Sequence, residues 1–380
     1  MAGLYIHIPF CKSRCIYCGF YSTTDLRFRQ RYVDSVCSEM VIRETLSPQG
    51  VTETVYVGGG TPSQLSLEQL QQLFRKVGEV YDISKQAEVT IEVNPDDVTP
   101  ALADWLPTLG VNRVSMGAQT FDDSRLHFLH RRHQAAQVSE AVRRLRDVGI
   151  VNISVDLMYG FPDETLDDWQ FDIDTALALD VEHISAYCLM VEEDTLLHDM
   201  IYNNVEKSTP NPLNARLPDE ELERQMYEVL IDRLTAAGYE HYELSNFALP
   251  GHRSLHNSNY WKDIPYTGLG AAAHSYDGRR RSWNVSDIRQ YMEGIEKGQP
   301  VYEWEELDVD TYYNDRVTVA LRTCEGLCLE SLSPRHRRYL LASADRYLKD
   351  GLMEQANGHL RLTRRGLFVS DMVMADLMMV

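Results

Sequence analysis

Cysteines stand at positions 11, 15 and 18, in CKSRCIYC near the start of a 380-residue chain. Thiolates so spaced are soft ligands, suited to zinc or to an iron–sulfur cluster. A structural zinc ion takes four protein ligands. Three thiols therefore either await a distant His or Cys, or hold a centre that keeps one position for something else. The other four cysteines, Cys37, Cys188, Cys324 and Cys328, are scattered, and the total of seven is odd. That usage fits a reducing compartment, with thiols free or metal-bound. Cys324 and Cys328 read as buried apolar thiols, with Gly326 arguing against a continuous helix between them.

Other polar residues stand in or just after apolar runs. Gly58, Gly59 and Gly60 follow TVYV and allow backbone N–H groups to approach a ligand, or simply make a tight turn. The run lacks the GK[ST] of a P-loop and the spacing of a dinucleotide fingerprint. Glu92 ends a strand-like run, where it can meet a ligand or an ion-pair partner. Asp156 sits in an otherwise apolar strand, where an unpaired carboxylate is costly and a partner is required. His256 stands beside Tyr260 and Trp261. An imidazole next to flat aromatic surface suits heme iron, but on these residues alone an aromatic cluster covering the end of a barrel is the commoner arrangement.

The elements that must position these residues alternate. β-Branched or aromatic runs at 4–9, 54–60, 88–95, 113–119, 152–160 and 183–191 are separated by longer segments with helical spacing. In 66–81, Leu67, Leu70, Leu73, Phe74 and Val77 share one face. In 133–149, Gly149 stands at a C-cap position. Six strands alternating with helices predict an α/β fold, a partial (β/α)6 barrel with its chemistry at the C-terminal strand ends. An Asn- and Pro-rich loop at 203–220 precedes a helix at 221–237. An irregular aromatic stretch over 252–305 follows. Helices at 310–322 and 334–350, a hairpin turning at Asn357-Gly358 and a last amphipathic helix predict a C-terminal helical, winged-helix-like domain. The expected boundaries are 1–202, 203–305 (covering the barrel) and 306–380.

Hydrophobic residues make up 44% of the chain, enough for a full core, and the net charge is −20. Such acidity argues against nucleic acid as a partner. The tail carries basic clusters at 335–338 and 361–365. Across 309–380, however, ten Lys and Arg face nine Asp and Glu. No run is long enough for an integral membrane segment and no targeting segment is visible, which predicts a soluble, cytoplasmic protein. A homodimer is compatible with all of this.

YIHIPFCKSRCIYC resembles the radical S-adenosylmethionine (SAM) superfamily, whose C-x3-C-x2-C motif holds a [4Fe-4S] cluster by three of its irons. The fourth iron is left to the amino and carboxylate groups of SAM. VYVGGGTPS resembles the glycine-rich strand end that lies against the SAM amino group there, implying SAM contacts at Gly59, Gly60 and Thr61. EVNPDD, GAQTF, HRRH and VDLMYGFP follow in the order seen in the oxygen-independent coproporphyrinogen dehydrogenases. The resemblance implies SAM contacts at Tyr5 and Glu92, an aromatic position at Tyr17, and contacts to a second SAM at Gln119, Arg131 and Asp156. Those dehydrogenases carry a further cysteine where this chain has Phe20. His256-Asn257-Ser258-Asn259-Tyr260-Trp261 is similar to the HNxxYW motif of HemW-type heme chaperones. That similarity implies heme as cargo, His256 as its ligand, and a heme-accepting protein as partner. Coproporphyrinogen oxidation is the alternative function, and the missing thiol speaks against it.

Overall fold

The computed structural model describes residues 2–44, 50–203 and 216–379. Six parallel strands run in sequence order: β1 (Ala2–Ile8), β2 (Thr52–Gly59), β3 (Ile83–Val93), β4 (Arg113–Gln119), β5 (Asn152–Tyr159) and β6 (His183–Cys188). Successive side chains on a strand face opposite ways, and β1 divides its residues accordingly. Leu4, Ile6 and Ile8 are buried in the main core. Tyr5 and His7 point into the barrel lumen, bonded to each other at 3.0 Å. Helices Arg29–Arg43, Leu67–Val80, Ala135–Asp147 and Leu166–Ala178 cover the outer face. The second starts at a capping box between Ser66 and Gln69 and buries Leu70, Leu73 and Val77, as the spacing predicts. Gly149, at φ +91°, closes the third.

The six strands do not stand alone. β7 (Glu240–Glu243) and β8 (Asn246–Ala248) add antiparallel beside β6. On the other flank β9 (Tyr266–Leu269) pairs parallel with β1. Antiparallel strands β10 (His274–Tyr276), β11 (Arg280–Asn284) and β12 (Tyr302–Glu306) follow it. The stretch 252–305, expected to be irregular, is therefore largely regular. It also holds helices Leu255–Trp261 and Ile288–Glu296. Its strands are only three to five residues long, too short to leave an alternating signature. Most of the loop expected at 203–220 lies outside the described residues.

A separate hydrophobic cluster around Tyr313, Val317, Leu340, Leu360 and Leu377 forms the C-terminal unit. Helices Val309–Ala320 and Pro334–Lys349 pack with a three-stranded sheet, ordered β13 (Leu327–Cys328), β15 (His359–Leu362), β14 (Met353–Ala356). Asn357 and Gly358, both at positive φ, make the predicted turn. The final helix is broken into Arg364–Leu367 and Ser370–Leu377. Two expectations about thiols are corrected: Cys324 is exposed and Cys328 only half-buried, because Gly326, at φ +72°, turns the chain from helix into β13. Among the described residues no helix is long and apolar enough to cross a membrane.

One buried carboxylate ties the flanking strands to the barrel. Glu39, 1% exposed, accepts hydrogen bonds from the Tyr291 hydroxyl (2.6 Å), the Gly270 N–H (2.8 Å) and the Asn284 side-chain amide (2.8 Å), with Arg43 at 3.4 Å. Removing one partner of such a group leaves the others uncompensated. Glu39→Ala should therefore lower unfolding free energy by about 3–5 kcal/mol, read as a fall in the urea midpoint. A midpoint within error of wild type would show that the carboxylate carries no load.

Candidate functional site

β1 delivers the chain to the C-terminal end of the barrel, where Pro9 and Phe10 lead into the cysteine loop. Two bonds close the base of that loop: Cys11 N–H to the Thr23 carbonyl (3.0 Å) and Thr23 N–H to the Pro9 carbonyl (2.7 Å). Its tip is pinned by Ile16, which is buried with Leu129, Phe161, Leu189 and Leu197 in a small satellite core. The Ile16 backbone bonds Leu129 and Leu197 on either side. With Ile16 turned into this core, Cys11, Cys15 and Cys18 line a cavity of about 640 Å³.

The glycine run forms the opposite wall. A Cβ on Gly60 would lie 2.8–3.1 Å from Pro9, the Ile8 carbonyl and the Cys11 sulfur, and one on Gly59 would strike the His7 ring at 2.4 Å. Only glycine fits at either place. The Thr61 hydroxyl donates to Cys11 Sγ at 3.6 Å. Across the cavity, Arg131 Nη1 donates to Cys15 Sγ at 3.6 Å, while Nη2 is fixed by the Gly117 carbonyl (2.6 Å) and Asn94 Oδ1 (2.8 Å). Burial pushes the Cys11 and Cys18 thiols up, and the Thr61 hydroxyl opposes this at Cys11. Among the described residues no three ligand-type side chains converge on a single ion, the cysteine loop included. A glycine cradle, spread thiols and donors aimed at sulfur fit a polynuclear iron–sulfur group with a small ligand beside it.

Below the glycines two carboxylates face the cavity. Glu92 accepts from the Tyr56 hydroxyl (2.7 Å) and the Gly59 N–H (2.9 Å). Burial outweighs these bonds and pushes its carboxyl up to about 7. Asp156 accepts from the Ser115 hydroxyl at 3.4 Å. Burial raises its pKa too, against the Ser185 hydroxyl and the Arg113 charge. Of the residues expected at the site, Tyr17, Gly59, Gly60, Thr61, Glu92, Gln119, Arg131 and Asp156 line this cavity with the three cysteines. Tyr5 lies just outside it, bonded to His7. Sequence reasoning missed Ser115 and Gly117, which fall with Gln119 at alternate positions on β4.

His256 lies elsewhere. It is 1% exposed, at the N-terminal end of the lumen, with Nδ1 at 2.9 Å from the Thr54 hydroxyl and Nε2 at 2.9 Å from the Tyr260 hydroxyl. Its ring stacks on Tyr56 at 5.0 Å. Burial, with the Arg113 charge behind it, lowers the imidazole to about 3, so it is neutral. Glu88 accepts the Leu255 and His256 N–H groups, fixing the start of this short helix. His256 is the residue expected to ligate heme iron. Both ring nitrogens are engaged, and the ring plugs the barrel floor.

A family model for the radical SAM superfamily matches residues 5–176, and one for the HemN C-terminal domain matches residues 307–369. The chain is 35% identical over 380 residues to the heme chaperone HemW of Bacillus subtilis, covering 98% of each. It is 32% identical to that of Mycobacterium tuberculosis, covering 99% of this chain and 94% of the relative. With that of Escherichia coli the identity is 34% over 300 residues, covering 77% and 76%. Among solved structures, coproporphyrinogen III oxidase (HemN) from Escherichia coli, described as a radical SAM enzyme, superposes with a TM-score of 0.83. That match covers 99% of this chain and 89% of the other at 22% identity, a likeness of fold. Full-length identity to HemW proteins and a radical SAM core agree with the pocket's geometry: the chain belongs to the HemW family of heme chaperones.

Proposed function

We propose that this chain binds heme and passes it to an acceptor protein, and that Cys11, Cys15 and Cys18 hold a [4Fe-4S] cluster with SAM beside it. The observation that carries the reading is the match to HemW relatives along 98% of the chain. A cluster bound by these thiols would supply one-electron chemistry next to a sulfonium ligand. This chain's own residues bind and orient. Arg131 and Thr61 direct donors at the sulfurs. Glu92 and Asp156 offer negative charge to the cationic SAM ammonium and sulfonium, and the glycines leave room for them.

The heme seat we assign to the rim of the same cavity, because the floor is closed. Phe20, Met190 and Tyr187 are 72%, 64% and 43% exposed there. Together they form an apolar surface that a macrocycle would cover. His130 and Met190 supply side-chain types that ligate heme iron, and Arg14 supplies charge for propionates. An open rim also suits a carrier that must give up its cargo. Coproporphyrinogen oxidation lacks support at Phe20, which stands where those dehydrogenases carry a cysteine.

Anaerobic titration of cluster-reconstituted protein, followed by absorbance in the Soret region, should saturate near one heme per chain. Phe20→Asp with Met190→Asp should weaken binding by about a hundredfold or more, from roughly 1.5–3 kcal/mol of lost apolar burial for each side chain; unchanged affinity would remove the rim seat. His256→Ala, which orphans two buried hydroxyls, should cost about 2–5 kcal/mol of stability yet keep the heme stoichiometry. Loss of heme at a wild-type melting temperature would instead return the iron ligand to His256. Cys15→Ser should retain heme but lose cluster absorbance and transfer to an acceptor, and undiminished transfer would rule out a gating role for the cluster.

A further inference from the structure

Arg113 is among the largest fully buried side chains of the molecule, 1% exposed on β4. Register places it inside the barrel. It precedes by two residues Ser115, whose hydroxyl bonds Asp156, and Ser115 is itself the cross-strand partner of Glu92. Two residues of strand rise about 7 Å, a distance that an arginine side chain covers. The guanidinium thus lies in the lumen beneath the two carboxylates of the pocket. Its Nε and Nη1 have no hydrogen-bond partner among the described residues. Neither does the hydroxyl of Thr90, its partner in register on β3.

A buried cation with unmet donors costs stability, and an apolar side chain of similar volume would spare that cost. No carboxylate closes on Arg113 as a salt bridge among the described residues. Glu88, two residues before Thr90 on β3, is occupied by the backbone of the helix at Leu255. The remaining groups around the lumen are neutral. His183 is held between Ser154 and Tyr242, and His256 between Thr54 and Tyr260. Tyr5 and Tyr56 keep their protons, burial pushing both hydroxyls well up. Above Arg113, the only anions facing it from β3 and β5 at the pocket's edge are Glu92 and Asp156. Of the arginines that line the cavity, Arg131 is committed to Gly117, Asn94 and the cysteine loop, Arg132 to Asp96 and Asp97, and Arg14 to the Cys18 carbonyl at the rim.

We propose that Arg113 is a positioning residue that acts through Glu92 and Asp156, opposing their protonation so that the pocket can receive a cationic sulfonium ligand. This rests on the reading that the pocket takes SAM. The Arg113 charge opposes the burial of both carboxylates. Without it, they would take up protons and lose their attraction for ammonium and sulfonium groups.

The test uses the full-length, cluster-reconstituted protein, with SAM bound by equilibrium dialysis from about pH 6 to about pH 9. In parallel, the protonated-carboxyl infrared band of the SAM-free protein is titrated over the same range. A shift of one pKa unit is about tenfold in the charged fraction below the midpoint. Arg113→Met should raise the carboxyl midpoint by about one unit. It should weaken SAM binding about tenfold near pH 7, with recovery at the alkaline end. Arg113→Lys, which keeps the charge, should follow wild type. An unchanged profile in Arg113→Met, or an equal loss at every pH, overturns the proposal. If Arg113→Met fails to fold, Arg113→Gln against Arg113→Lys carries the same contrast. Failure of wild type to bind SAM would instead count against the SAM reading, while the infrared titration still reads the effect of Arg113 on the carboxyls.

Discussion

The pocket depends on one close approach: the backbone of Gly60 lies against Ile8, Pro9 and the sulfur of Cys11, with its N–H donated to the Ile8 carbonyl at 2.8 Å. Parallel pairing of β1 with β2 sets that approach, since His7 and Ile8 stand opposite Gly58 and Gly59 in register. Any side chain at the strand end would force the two strands apart there. The thiol loop would then lose both its wall and the Thr61 hydroxyl. The Arg131 fork depends on a second approach of the same kind, at Gly117. The pocket is thus framed by two bare stretches of backbone, and the side chains that line it come from six strand ends.

The barrel has two unlike ends. The C-terminal end is open and carries thiols, carboxylates and exposed aromatic groups. The N-terminal end is closed by His256, wedged among Thr54, Tyr56 and Tyr260. From Glu92 a continuous line of polar contacts and stacked rings runs down through Tyr56 to His256. Whatever reaches the pocket therefore meets a lumen filled by these side chains, with the buried Arg113 among them.

Much of this was legible in the sequence. Six strand runs, the helix faces and the Asn-Gly turn stand where the spacing predicts, and the cysteine and glycine motifs meet as the resemblance implies. The failures share a cause. β9 to β12 are short, and β12 is almost wholly exposed, so their pairing is decided by strands far off in the chain rather than by local pattern. β3 starts at Ile83 rather than 88 because its first turns are solvated and lack the apolar signal. His256 was read from its aromatic neighbours in sequence. Tyr260 is indeed one partner, but the other, Thr54, is 202 residues away, and no local pattern reports such a contact. Arg113 opens the strand run 113–119, and its inward phase follows from the alternation through Ser115 and Gly117.

β1 is hydrogen-bonded on both edges by parallel neighbours, one from residues 52–59 and the other from residues 266–269. A ribosome makes those neighbours far apart in time. At the usual elongation speeds of about 5–20 residues per second, the strand that carries the cysteine loop keeps one bare edge for about 10 seconds or more after the other is covered. During that interval the thiols are already synthesised but their strand is unfinished. Iron and sulfide delivered then would meet a half-built cradle, whereas delivery after release would meet the closed one.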